Sequence, residues 1–92
     1  MVWAVDKMVV RYPLDDGERF AEVPVRTRFE YAVEDGVVAA GSLRIDTLYN
    51  KREALRHFRG VGGDWLDGEV ERAARQAVYE HLRRCGYTVG AD

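Results

Sequence analysis

Three side chains of this sequence have the chemistry to bind a metal or to attack a substrate: His57, His81 and Cys85. His81 and Cys85 stand four residues apart, a spacing at which two ligands share one helix face. Two further ligands would have to come from elsewhere, and no motif marks them. Because histidines and thiols inside an apolar stripe are commonly packing residues, the pattern favours a structural role for both. It predicts no catalytic residue, no metal and no cofactor.

A glycine-rich segment, residues 60–63, precedes a predicted helix and invites comparison with a phosphate-binding loop. The segment lacks the lysine and the serine or threonine of a P-loop, and it does not have the GxGxxG spacing. Asp64 and Asp67 also place negative charge where a phosphate would sit. We therefore interpret the segment as a flexible connector.

A local excess of positive charge lies between Lys51 and Arg59, which carries four cations against one anion. On a helix Arg52, Arg56 and Arg59 fall at i, i+4 and i+7 and form one stripe. Such a stripe can contact phosphates or the carboxylates of a partner protein. A nucleic-acid-binding role for Lys51, Arg52, Arg56 and Arg59 is therefore the alternative hypothesis for this chain, beside a solvated surface face.

Two other segments have the composition of protein interfaces. On the outer face of the predicted long helix, Tyr79 projects among Arg72, Arg75 and Arg83, and tyrosine and arginine are enriched at binding hot spots. The second segment is an uncharged predicted edge strand without proline, which is either covered by the segment from Thr47 to Gly60 or open to pairing with a second copy or a partner peptide. Its residues are Val37, Val38, Ala39, Ala40, Gly41, Ser42 and Leu43.

The elements that position these residues follow from two hydrophobic periods. Up to about Thr47 apolar residues alternate, which predicts half-buried strands, and from about Asn50 they recur every three or four residues, which predicts helices. This order predicts an α+β fold, with a three-stranded antiparallel meander followed by a short helix and a long C-terminal amphipathic helix packed on one face. We expect one domain over residues 1–92, with the sheet in 1–47 and the helical part in 50–86.

Local signals predict where these elements begin and end. Asn50 is the expected cap of a short helix from Lys51 to about Arg59, and the long helix is expected from about Trp65 to Cys85. Its broad apolar stripe includes both His81 and Cys85, and Gly86 is expected to terminate it in the left-handed conformation.

The expected strand registers rest on keeping apolar residues on one face. That rule favours a three-residue loop 34–36, which sets Val33 opposite Val37. An Asp16-Gly17 turn would set Val10 opposite Val23. Trp3 and Val5 have the opposite parity from Met8 and Val10, so a bulge is expected near residues 6 and 7, and a strand break is expected around Pro24.

Composition limits the functions that the chain can have. The 92 residues carry 14 basic and 16 acidic side chains, so the overall charge of −2 argues against a uniformly basic nucleic-acid binder. No apolar run is long enough to cross a bilayer, and one cysteine cannot form an internal disulfide, which suits the cytoplasm. We predict a small non-enzymatic protein-binding domain that acts as an adaptor, inhibitor or regulator, with a homodimer through strand 37–43 as one form. Neither a membrane nor a small-molecule substrate is indicated.

Overall fold

The computed structural model of the chain describes residues 2–39 and 41–89, and it is a mixed α+β structure with a five-stranded sheet and one long helix. The five strands are β1 (Val2–Asp15), β2 (Phe20–Glu34), β3 (Val37–Val38), β4 (Arg44–Leu48) and β5 (Thr88–Val89). The helices are α1 (Lys51–Leu55) and α2 (Gly63–Arg84). β1 pairs with β2, whose other edge is shared by β3 and β4, and β5 runs parallel to β3. The sheet is therefore not the predicted three-stranded meander.

The β1–β2 hairpin is regular along its whole length, from the Val2–Val33 pair to the Asp15–Phe20 pair. The predicted bulge near residues 6 and 7 is absent, because the large apolar residues Trp3 and Val5 lie on the solvent side of the sheet instead of turning into the core. Val10 pairs with Val25, two residues beyond the predicted partner, since the turn at residues 16–19 is longer than expected.

The turn between β2 and β3 has two residues, Asp35 and Gly36, both with positive φ, and it pairs Val33 with Val38. The predicted three-residue loop is therefore wrong. Between the Val33–Val38 and Phe29–Ile45 pairs, β2 spans four residues while the returning chain spans seven. The three extra residues lie in the loop between β3 and β4, where Gly41 has a φ of 76°. This loop restores the alternation that keeps the apolar residues on the face covered by the long helix. The turn between β2 and β3 can therefore have only two residues.

The predicted edge strand over residues 37–43 is also wrong. Among the described residues of this segment, only Val37 and Val38 are in strand conformation, and β5 pairs with them on the side that is predicted to be open. Beyond them, the Ser42 hydroxyl takes the position of a strand partner, since it accepts from the Ala32 N–H and donates to the Ala39 carbonyl. Ala40 lies outside the described residues. The polar side chain of Ser42 thus closes this part of the β2 edge without a strand.

The predicted helix from Lys51 to about Arg59 is not confirmed at that length. The structure has a single turn, α1, capped by the Asn50 side chain, which accepts from the Glu53 N–H at 3.1 Å. The chain then leaves the helical path so that Phe58 is buried against Trp65, with their ring centroids 5.3 Å apart. Burial of an aromatic ring outweighs the small propensity gain from another helical turn.

α2 covers one face of the sheet, which we call the inner face, with a row of fully buried residues spaced four apart. They are Leu66, Val70, Ala74, Val78 and Leu82. The helix ends as predicted: Gly86 has a φ of 91°, its N–H bonds the Arg83 carbonyl, and the Tyr87 N–H bonds the Leu82 carbonyl. This pair of bonds is a Schellman motif. The start differs from the prediction, because Gly62 occupies the cap position and makes no side-chain cap bond.

β1 and β2 each contain one proline, at a position where the backbone nitrogen does not face a paired strand. The missing N–H therefore removes no hydrogen bond from the sheet. The Asp16 N–H donates to the Arg19 carbonyl, so the alternating antiparallel pattern bonds the even-numbered residues of β1 to the odd-numbered residues of β2. The backbone nitrogen of Pro13 therefore points to the edge of β1 opposite β2, where no described strand pairs. Pro24 faces the other edge of β2, where β4 pairs only between Arg26 and Glu30. The predicted strand break at Pro24 is unnecessary and does not occur.

Candidate functional site

The three residues with reactive side chains do not form one site. His57 lies just beyond α1, whereas His81 and Cys85 lie at the far end of α2, about 24 Å along the helix from Trp65 by the rise per residue. His57 lines an open polar groove of about 260 Å³ together with Arg11, Glu22 and Glu53. Within residues 2–39 and 41–89, no group of three or more histidines, cysteines and carboxylates is arranged to hold a metal.

His81 and Cys85 have different surroundings. The His81 ring packs edge-on against Phe29, with centroids 5.6 Å apart, which fits a packing role. Cys85 is exposed and lies 3.7 Å from the His81 Nε2 atom, so its predicted place in the buried stripe is wrong. The helix stops at Arg84, and Cys85, which follows it as the C-cap, is exposed.

The predicted arginine stripe is broken by the shortness of α1. Arg56 is the C-cap of α1 and keeps helical dihedral angles, whereas Arg59 lies beyond the end of the helix and does not continue the helical face that begins at Arg52. All three side chains are exposed, and none makes an ion pair within 4 Å to any part of the chain that the structure describes. Lys51 is different, since its Nζ atom lies 2.7 Å from the Asp67 Oδ2 atom.

The predicted outer surface of α2 is brought together as expected, although its groups contact each other. The Arg75 guanidinium donates to the Tyr79 hydroxyl at 3.3 Å, and the Arg83 guanidinium lies 5.9 Å from the centre of the Tyr79 ring. Arg72 pairs with Glu69 in the preceding turn. These contacts within α2 explain how the side chains are arranged without invoking a bound protein. A role of this surface in binding stays a prediction.

Asp67 holds α1 against α2. Its carboxylate accepts from the Tyr49 hydroxyl at 2.5 Å and from the Lys51 ammonium at 2.7 Å. The bond from Lys51, followed by the bond from Tyr49, holds the pKa of Asp67 below its ordinary value of 3.8. Burial and the bond to Asp67 raise the pKa of Tyr49 well above its ordinary value of 10.0. The cluster links the strand end, the single helical turn and the long helix.

We expect the Asp67 cluster to make stability depend on pH in the acid range. Because the folded protein lowers the pKa of Asp67, the unfolded chain takes up its proton first, and the stabilising effect is lost as the pH falls below the ordinary value of 3.8 and through the lower pKa of the folded state. Urea unfolding of Asp67→Asn should therefore show a weaker loss of stability over this range than the parent protein. The matched control is Asp64→Asn in the same helical turn, because Asp64 makes no ion pair within 4 Å to a described residue. Equal acid profiles for the parent and Asp67→Asn would contradict the assignment.

Most of the exposed large apolar side chains of the described residues lie on the sheet face opposite α2. We call it the outer face, and it carries the odd-numbered residues of β1 and the even-numbered residues of β2 and β4. Five of its large apolar side chains are more than half exposed: Trp3, Val5, Val9, Phe20 and Leu48. No described helix or loop covers them, because α2 and the partly buried apolar residues of the chain pack on the inner face. Exposed apolar clusters of this kind mark interaction sites more often than scattered apolar residues do.

An apolar cleft crosses the middle of the outer face. Val9 of β1 and Leu48 of β4, each 67% exposed, stand on either side of Arg26 in one cross-strand row. The cleft between them has a volume of about 280 Å³ and is lined almost entirely by apolar atoms, which include the aliphatic stems of Lys7 and Arg28. A long basic side chain on a sheet can cover apolar area in this way while its charged end stays in water.

The charges around the cleft are predominantly positive. Lys7, Arg26 and Arg28 border it, with Asp46 as the one acidic residue among the lining side chains. Arg28 pairs with Glu30 at 2.8 Å, whereas Lys7 and Arg26 have no carboxylate within 4 Å among the described residues. The cleft thus combines an apolar floor with two cations, Lys7 and Arg26, that have no anionic partner within 4 Å in residues 2–39 and 41–89.

Sequence reasoning missed this surface because it assumed that large apolar side chains in strands face the core. The signal was present: Trp3, Val5 and Val9 share one parity of β1, opposite to that of Met8 and Val10. We interpreted the change of parity as a bulge, whereas the strand is apolar on both faces. The sequence pattern does not indicate that Leu48 is exposed, because an apolar residue at this position is equally compatible with the core.

Known proteins do not supply a function for this surface. No family model, curated protein or solved structure matches the chain. Neither helix in the described part is long and apolar enough to cross a membrane.

Proposed function

We propose that this chain is a small, non-enzymatic protein-binding domain that acts in the cytoplasm as an adaptor, inhibitor or regulator. One observation carries the proposal: the apolar cleft between Val9 and Leu48 is open to solvent and bordered by Lys7 and Arg26, two cations that pair with no carboxylate of the described residues. The occupant that fits it is a large apolar side chain within an acidic segment of a partner protein.

The apolar part of the cleft supplies affinity. Removing one large apolar side chain from water is worth about 1.5–3 kcal/mol, and a side chain seated among already fixed strands costs the domain little ordering entropy. The row Val9, Arg26 and Leu48 lies within a regular sheet, so its geometry is set before a partner arrives. Such a prearranged apolar centre is typical of binding hot spots.

The charges supply specificity. Lys7 and Arg26 would gain carboxylate partners from residues that flank the apolar side chain, and this complementarity favours an acidic partner over a basic one. A phosphate backbone fits less well, because Glu30 and Asp46 interrupt the positive charge along the same face. An extended peptide can place its acidic residues selectively, whereas a nucleic acid carries charge at every step.

We expect Leu48→Asp to weaken binding of such a peptide by about 2 kcal/mol, or roughly 30-fold in Kd, because it removes one wall of the cleft and adds a repelling charge. The ligand is obtained by selecting a random peptide library against the immobilised protein. Selected sequences should carry a large apolar residue flanked by aspartate or glutamate, and fluorescence anisotropy of a labelled peptide then measures the loss.

The matched control for this experiment is Phe20→Asp. Phe20 is 61% exposed on the same outer face but lies at the turn end of the hairpin and does not line the cleft, so this variant should bind as the parent does. Absence of peptide enrichment, or equal loss in both variants, would contradict the proposal.

The nucleic-acid alternative rests on the three exposed arginines near α1. It would be favoured if the protein retains a single-stranded oligonucleotide at low salt and the double variant Arg52→Glu/Arg56→Glu abolishes this retention.

A further inference from the structure

The outer edge of β1 is the longest stretch of open backbone in the described sheet. β1 has 14 residues, and β2 is its one strand partner within residues 2–39 and 41–89. Because the even-numbered residues bond to β2, the N–H and carbonyl groups of the odd-numbered residues point to the open edge. Pro13 is the one residue among them that lacks a donor, so the edge offers continuous donors from Trp3 to Arg11.

We propose that a second copy of this chain pairs with this edge, with the two β1 strands antiparallel about a two-fold axis at Met8. This inference goes beyond the proposed function, because it concerns the β1 edge and not the cleft. A two-fold axis perpendicular to the sheet places outer residues opposite outer residues, as in an isologous dimer. The paired β1 strands then join the two sheets into one.

The register follows from the side chains on the outer face. Centring on Met8 sets Trp3 opposite Pro13, Val5 opposite Arg11 and Lys7 opposite Val9 of the second copy. The three exposed large apolar residues that β1 places on the outer face are then paired, and no like charges stand opposite each other.

In the neighbouring registers, side chains of like charge stand directly opposite each other. Centring on Lys7 would place that lysine opposite itself, and centring on Asp6 would place two aspartates opposite each other. Centring on Val9 would set Lys7 against Arg11, and like charges directly opposite in a sheet are destabilising. The Met8-centred pairing also forms about ten backbone hydrogen bonds between the copies.

The first test is the oligomeric state of the full chain by sedimentation equilibrium. The parent should be a dimer, and Val5→Pro should weaken dimerisation at least tenfold, because it removes an N–H that points to the second copy while the bonds from β1 to β2 stay in place. Glu22→Pro is the matched control: its N–H points to the other edge of β2, where β4 has ended, so it should remain a dimer. Circular dichroism confirms that both variants are folded.

The second test examines the register by disulfide formation in a Cys85→Ser background. Met8→Cys should form a crosslinked dimer on mild oxidation, since the two copies of residue 8 lie directly opposite at a distance that a disulfide spans. Val10→Cys should not, because its two copies are offset by four residues along the strands. A monomer at the highest attainable concentration, a dimer that Val5→Pro leaves intact, or no crosslink at residue 8 would each overturn the inference. Peptide binding that Leu48→Asp weakens would survive such a result, so the two proposals fail separately.

Discussion

Phe29→Ala will lower the free energy of unfolding by about 3–5 kcal/mol, which corresponds to a fall in Tm of roughly 15–30 °C for a domain of this length. Phe29 has no exposed surface and stands where three elements meet, between β1, β4 and α2. Its ring stacks on Tyr31 with centroids 5.9 Å apart and meets the edge of His81. Truncation therefore removes the transfer energy of the ring and leaves a cavity whose walls are held by regular strands and cannot close.

The matched control is Phe20→Ala, in which the same side chain is removed from the outer face of the same strand. Phe20 is 61% exposed, so its removal should change the free energy of unfolding by less than about 0.5 kcal/mol. Urea unfolding followed by circular dichroism gives both values, and Phe29→Leu provides a milder variant if Phe29→Ala does not fold. Equal costs at the two positions would contradict the assignment of inner and outer faces.

Leu66→Ala will cost about 2–5 kcal/mol, because Leu66 is fully buried at the start of α2. It belongs to a different apolar cluster from Phe29, the one formed with Tyr12, Leu14 and Phe58. This end of the helix has no side-chain cap, Gly60 and Gly62 precede it and Gly63 is its first residue, so local propensity contributes little there. Burial of Leu66 is then the main term that keeps the first turns of α2 on the sheet.

Leu48→Ala is the matched control for Leu66. Leu48 is 67% exposed on the outer face, so the same substitution should be close to neutral for thermal and urea unfolding. Hydrogen exchange adds a second readout: amides in the first turns of α2 should lose protection in Leu66→Ala before the hairpin does. A large cost at Leu48, or no loss of protection near Leu66, would contradict this account.

The helical half of the chain was largely predictable because its signals are local. The apolar positions Leu66, Val70, Val78 and Leu82 recur with helical spacing, and Gly86 followed by an apolar residue predicts the Schellman ending that the structure has. The shortness of α1 was not predictable, since it depends on a tertiary contact that buries Phe58.

The sheet was less predictable because register depends on residues far apart in sequence. The parity argument was sound, yet it assumed an unbroken strand after the turn, whereas the three extra residues lie near Gly41. The parallel contact of β5 with β3 joins residues about fifty positions apart, and two residues carry no strand pattern of their own. The candidate surface was missed for a related reason, since an apolar residue in a strand does not reveal which face is covered.

Because α2 covers only one face of the sheet, substitutions on the two faces have different effects on stability. Stability resides in the inner face and α2, whereas Val9, Arg26 and Leu48 face water and contribute little to it. Substitutions there escape the usual conflict in which a gain in activity is lost to unfolding. The outer face can therefore change in sequence while the scaffold is kept, and it offers a surface on which binding can be selected by randomising a few positions.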